Sequence, residues 1–174
     1  MILMYLVINY SNEILKKQAE LIGIPISFYK ANPFQYPIQY SHLMKKYKNN
    51  GIDFIVFGNF KLNKNALYKA EISKALRIRP VIPLLNFSDK EMLHCMNEYK
   101  IYSIITQIKS PLDSFLLGKI YNEEIYNYFL EHNICPLGEN GLFHTLAIGA
   151  DCFSEPLRYR IKKINNNQIH VNLA

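Results

Sequence analysis

Residues 1–29, MILMYLVINYSNEILKKQAELIGIPISFY, hold one complete strand–helix–strand unit. Met1 to Asn9 is almost continuously apolar, as a strand covered on both faces is. Ser11 is placed to cap a helix over Asn12 to Ile22, in which Ile14, Leu15, Ala19, Leu21 and Ile22 fall on one side. Gly23 ends that helix, because glycine alone takes the left-handed conformation of a helix stop without strain. Pro25 then opens a second strand over Ile24 to Tyr29. A strand, a helix and a strand in this order predict a parallel pair joined by a crossover.

The pattern recurs further along the chain. Ala31 to Pro37 reads as a loop by its two prolines, Ile38 to Lys48 as a helix, and Asn49-Asn50-Gly51 as a turn. Ile52 to Phe57 is a near-continuous apolar run, expected at the centre of the sheet. Asn63 to Leu76 reads as a helix and Pro80 to Leu85 as a strand. Ser88-Asp89-Lys90-Glu91 offers a capping box for a helix running to Tyr99, and Ile101 to Ile108 is a closing strand. The expected fold is α/β, a doubly wound and mostly parallel sheet over residues 1–109. Beyond Lys109 the pattern becomes α+β, with helices over Asp113 to Leu117 and Glu123 to Glu131. Strands follow over Phe143 to Ile148, Leu157 to Ile164 and Gln168 to Leu173, with Asn165-Asn166-Asn167 as a turn. A soft boundary therefore falls near residue 110, separating 1–109 from 110–174.

Composition narrows the function classes. The net charge of +6 is spread thinly, with Lys45-Lys46-Tyr47-Lys48 and Arg158 to Lys163 as its densest points, and neither is a basic arm. With no nucleic-acid motif present, both read as solvated faces. The apolar opening falls short of the about 20 residues that span a bilayer and has no basic leader, so neither membrane insertion nor export is expected. The three cysteines, Cys95, Cys135 and Cys152, show no CxxC spacing and read as reduced thiols of a cytoplasmic protein, with no metal site.

The segment richest in chemistry is Gly138-Glu139-Asn140-Gly141-Leu142-Phe143-His144-Thr145. Two glycines allow close backbone approach to a ligand, while Glu139, His144 and Thr145 gather a carboxylate, an imidazole and a hydroxyl. The same residues also suit an ordinary turn, with Glu139 solvated and His144 on the outer face of a strand.

This segment resembles the GENGEFHT or GEGGEFHT signature of the diphthine-ammonia ligase family, N-type ATP pyrophosphatases. Further anchors follow in the family's order. Gln18 to Ile26 is similar to the QAEALGIPL joint, and Gly51 to Gly58 to a strand ending in glycine. Pro83-Leu84-Leu85 stands where members carry PLW, and Phe115 to Lys119 resembles their WLGR segment. The anchors run from about residue 14 to 153. The resemblance implies a Rossmann-like sheet of the HUP type, with ATP and Mg²⁺ as cofactors. It also implies adenylation of a carboxylate followed by attack of ammonia, on the diphthine of a translation elongation factor in archaea and eukaryotes. It marks Glu139 and His144 as candidate catalytic residues, and Gly58, Asn59, Gly138, Asn140, Gly141 and Thr145 as candidate ligand-binding residues.

The departures are equally specific. The family's SGGKDS phosphate loop has no counterpart in these residues. Matched by its neighbours, Met1 to Ile8 falls on the family's second strand, leaving the first strand, loop and helix unmatched. If Met1 to Ile8 is instead the first strand, Asn9-Tyr10-Ser11-Asn12-Glu13 takes the loop's place without its glycines or lysine. After Gly58 the family's YQRxRxE cluster is replaced by Lys64 to Ala70, and Leu142 replaces the second glutamate of the signature. The expectation is a truncated relative, inactive alone, completed by an N-terminal partner chain or by self-association that covers an exposed sheet edge. The alternative is a non-catalytic binding or assembly protein that keeps only the surface around Gly138 to Thr145.

Overall fold

The computed structural model describes residues 3–5, 11–29, 35–60 and 64–174. They form a mixed α/β protein whose contacts divide it into two compact units, residues 1–29 with 89–174, and residues 30–88. Both units carry a short parallel strand pair, and the first also holds a four-stranded antiparallel sheet.

In the first unit, β1 (Leu3–Tyr5) pairs in parallel with β2 (Ile26–Phe28) across α1 (Asn12–Ile22). The bounds of α1 follow from its ends. The Ser11 side chain accepts from the Ile14 amide at 3.4 Å, and Gly23, at φ 74°, lets Ile24 N–H reach the Ala19 carbonyl at 3.0 Å. Ile14 and Leu21 bury their side chains in a cluster with Ile104, Leu146, Leu157, Ile169 and Val171. The remainder of the expected strand Met1 to Asn9 lies outside the described residues.

After α4 (Asp89–Glu98), β5 (Tyr102–Ile108) enters the antiparallel sheet, whose order is β6-β5-β8-β7 with β6 (Phe143–Gly149), β7 (Tyr159–Asn165) and β8 (Gln168–Leu173). Ser103 to Thr106 are buried without alternation, so β5 is covered on both faces and is the true central strand. The cluster with Ile14 and Leu21 covers one side. The other cluster joins Ile105 and Ile108 to Leu116, Tyr121, Phe129 and Phe143 beneath α5 (Glu123–Glu131). Asn122 caps α5 by accepting from Ile125 N–H at 3.0 Å, and Glu123 and Glu124 occupy its first turn, where the helix dipole favours negative charge.

The second unit contains α2 (Tyr36–Asn49), β3 (Phe54–Val56), α3 (Lys64–Ala75) and β4 (Arg79–Val81), with β3 and β4 parallel. The buried Tyr40 hydroxyl lies 3.4 Å from Ser73 Oγ, which itself donates to the Lys69 carbonyl at 2.8 Å. Burial pushes the Tyr40 hydroxyl up to about 12.

Several expectations are corrected. Ile52 to Phe57 is no central strand: β3 is three residues long, and Phe54 and Val56 are 56% and 50% exposed. An apolar run signals that a strand is to be covered, not which strands cover it. Ile101 to Ile108 closes no parallel sheet, because its neighbours β6 and β8 both run antiparallel to it. Those pairings also join what the sequence reading divides near residue 110. Tyr36 and Pro37 are helical rather than looped, since proline fits the first turn of a helix, while 30–34 lie outside the described residues. Asp113 to Leu117 contributes only a 3₁₀ turn over Ser114–Leu116, which Asp113 caps.

Candidate functional site

The loop before β6 is built on aromatic packing. The Phe143 ring stacks on Phe129 with centroids 4.5 Å apart and on Tyr121 at 6.1 Å. Burial raises the pKa of the Tyr121 hydroxyl, which donates to the Pro136 carbonyl and so ties the loop's entry to the same core. Phe143 therefore fixes the first residue of β6, and the preceding turn must fit over it. Gly138 N–H donates to the Cys135 carbonyl at 3.1 Å, and Gly141 N–H to the Gly138 carbonyl at 2.8 Å. Gly138 has φ 70°, and a Cβ there would stand 3.2 Å from both the Phe143 ring and the Phe143 carbonyl oxygen. Glycine at 138 is thus demanded by the turn and its packing, before any ligand is considered.

On β6 the signature residues meet an irregularity in β5. Ile105 pairs with Thr145 and Gln107 with His144, which leaves Thr106 as an extra residue, a β-bulge. Thr106 is buried, and its hydroxyl lies within hydrogen-bonding distance of the His144 carbonyl, to which it donates at 3.2 Å. Phe143 and Leu146 are buried while His144 and Thr145 between them are both exposed, so the usual alternation is broken at this point.

The structure places Glu139, Asn140, Gly141, His144 and Thr145 on this loop and strand, with Glu139, Asn140, His144 and Thr145 exposed. Asn140 is occupied locally, its Oδ1 accepting from Leu142 N–H at 3.4 Å. Gly58 and Asn59 follow β3 and belong to the second compact unit. A Cβ at Gly58 would meet nothing within 4 Å, so crowding does not account for glycine there.

One residue absent from the sequence reading joins the loop. Ile108 pairs with Phe143, and Lys109 N–H donates to the Leu142 carbonyl at 2.7 Å. The Lys109 ammonium comes within 3.7 Å of the position a Gly141 Cβ would occupy. Partial burial, and secondly the charge of Lys109, hold the His144 imidazole below its ordinary pKa. Lys109 and Gly141 are far apart in the chain, and only the antiparallel register of β5 and β6 could have revealed the pair.

The amino end of α1 is already capped by Ser11 and carries Glu13, so it presents no glycine–lysine cradle for phosphates. Among the described residues no group of three or more His, Cys, Asp or Glu side chains is placed to hold a metal. Nor is any helix among them long and apolar enough to cross a membrane. Compared with known proteins, the chain matches no protein-family profile and no curated sequence.

Proposed function

We propose that these residues belong to a relative of the diphthine-ammonia ligases and keep a substrate-facing surface at Gly138 to Thr145, with no match among them to the family's phosphate loop. The observation that carries the reading is the pairing of the parallel strands. In a doubly wound sheet of order 3-2-1-4-5, the second strand lies beside the third and the fourth beside the fifth. Matched to that order through the sequence anchors, β1 beside β2 and β3 beside β4 are the two pairs required. The HUP-type reading of the fold rests on this pairing together with the ordered anchors.

On this reading the residues described carry no ATP chemistry by themselves. Phosphates in this fold class sit on amides after the first strand, and removing even one preorganised donor costs about 10² to 10³ in rate. Glu139, His144 and Thr145 remain as the polar groups of a carboxylate-bearing substrate site, and Gly58 with Asn59 as ligand-facing backbone. A strand–helix partner bearing the phosphate loop, or a second copy of this chain, would cover the exposed Phe54 and Val56 of β3.

The test is pyrophosphate release from ATP and calorimetric binding of ATP and AMP. The polypeptide alone is expected to release none, and addition of a polypeptide carrying a strand–SGGKDS–helix unit to restore AMP formation. Release by the chain alone overturns the assigned incapacity. Silence in both conditions, with no nucleotide bound, supports instead a non-catalytic binding or assembly protein, a reading the capped end of α1 favours.

A further inference from the structure

We propose that the outer face of the β7–β8 hairpin is a docking surface for the phosphodiester backbone of a nucleic acid, with Arg160 and Lys162 as its phosphate contacts. The inference goes beyond the ligase reading and uses none of the residues assigned to it.

The register of the hairpin builds this face. Arg160 pairs with Asn172 and Lys162 with His170, while Ile161 pairs with Val171. Successive residues of a strand point to opposite faces, so Arg160, Lys162, His170 and Asn172 share one face, and Ile161, Ile169, Val171 and Leu173 share the other. Burial follows that division on β8: Ile169 and Val171 lie in the cluster with Ile14 and Leu21, whereas His170 and Asn172 are exposed. The apolar face thus anchors the hairpin and leaves the polar one outward.

Charge sets the outward face apart. Residues 156–174 contain Arg158, Arg160, Lys162, Lys163 and His170 but no Asp or Glu. Several cations elsewhere find acids, Lys17 with Glu20, Lys48 with Asp53, Lys74 with Glu71 and Lys100 with Asp151. Arg158, just before β7, is likewise taken by Glu155. Arg160 and Lys162 are exposed and enter no ion pair formed among the described residues.

The chemistry of the face selects its partner. Arg160 and Lys162 stand two residues apart on an extended strand, about 6.8 Å, with an imidazole and an amide opposite them as hydrogen-bonding groups. A protein partner needs apolar or aromatic anchors at the centre of an interface, and a membrane surface needs apolar side chains that insert. None of the four residues supplies either. A nucleic acid needs neither, since its affinity comes from repeated phosphates met by Lys and Arg, with amide side chains adding hydrogen bonds. β7 is the last strand of its sheet, so an extended polyanion can lie along it. Contacts of this kind carry no base information, and binding is expected to be independent of sequence.

The experiment follows the fluorescence anisotropy of a labelled DNA duplex and of a labelled single-stranded RNA as the 174-residue polypeptide is added over a series of salt concentrations. Saturable binding is expected, with the logarithm of affinity falling linearly against the logarithm of salt. The tighter probe identifies whether duplex or single strand is the ligand. Arg160→Gln combined with Lys162→Gln should flatten the salt slope by about 2, about one for each lost phosphate contact. The charge-retaining pair Arg160→Lys with Lys162→Arg should keep the slope, and circular dichroism matching the parent shows that both double variants are folded. Lys45→Gln with Lys46→Gln, an equal charge loss at exposed positions of α2, should leave the slope unchanged. Absence of saturable binding at low salt, an unchanged slope in the β7 double variant, or an equal loss in the α2 variant overturns the inference. Polyglutamate competing as well as nucleic acid overturns it too and assigns the face to an acidic protein. Because no ATP is present, these outcomes are independent of whether a phosphate-loop partner restores AMP formation.

Discussion

Replacing Gly138 with alanine separates the two reasons for a glycine in the signature turn. The backbone at 138 has φ 70°, where an L-residue is strained by about 1 to 2 kcal/mol. The added methyl would also stand 3.2 Å from the Phe143 carbonyl oxygen and from its ring, which is itself stacked on Phe129. Forcing a methyl into such packing adds about 1 to 3 kcal/mol. A total of about 3 kcal/mol is therefore expected, which lowers the melting temperature of a chain of this length by about 6 to 12 °C. Two comparators isolate the contributions. Gly23 has φ 74° with open space around it, so Gly23→Ala should show the backbone strain alone. Gly58 has neither a positive φ nor a crowded Cβ, so Gly58→Ala should stay within about 0.5 kcal/mol of the parent. The chain has no tryptophan, which makes far-UV circular dichroism during urea and thermal unfolding the suitable readout. Equal midpoints for Gly138→Ala and Gly23→Ala would refute the argument that Phe143 packing dictates residue 138.

Phe129→Ala removes a fully buried ring that meets Tyr121, Tyr128 and Phe143, and should destabilise the first unit by about 3 to 5 kcal/mol in urea unfolding. The raised pKa of Tyr40 gives the second unit a stabilising contribution that is complete below pH 10 and is lost as pH rises through about 12, since the unfolded chain ionises first. Tyr40→Phe, which leaves Ser73 bonded to the Lys69 carbonyl, should move alkaline unfolding of that unit to higher pH, as followed by amide NMR signals. The exposed pair on β3 should drive concentration-dependent association in sedimentation experiments, and the double variant Phe54→Ser with Val56→Ser should abolish it without loss of helical signal.

Local rules carried most elements. Ser11 and Gly23 bound α1, and Glu123 to Glu131 and Gln168 to Leu173 have the same limits in sequence and structure, because caps, turns and periodicity act within a few residues. The same rules could not rank the apolar runs. Ile52 to Phe57 and Ile101 to Ile108 look alike in composition, yet β3 is largely open while β5 is buried between two clusters.

The sequence by itself therefore determined where helices and strands form and which loop concentrates glycines with polar groups. It also determined that no SGGKDS loop lies in these residues. Tertiary structure alone decided that β5 is central, that its neighbours run antiparallel, and that Lys109 stands over Gly141. The physical reason is range: caps and periodicity act between near neighbours in the chain, whereas strand order, register and a bulge arise from pairing between distant segments, which no local pattern encodes.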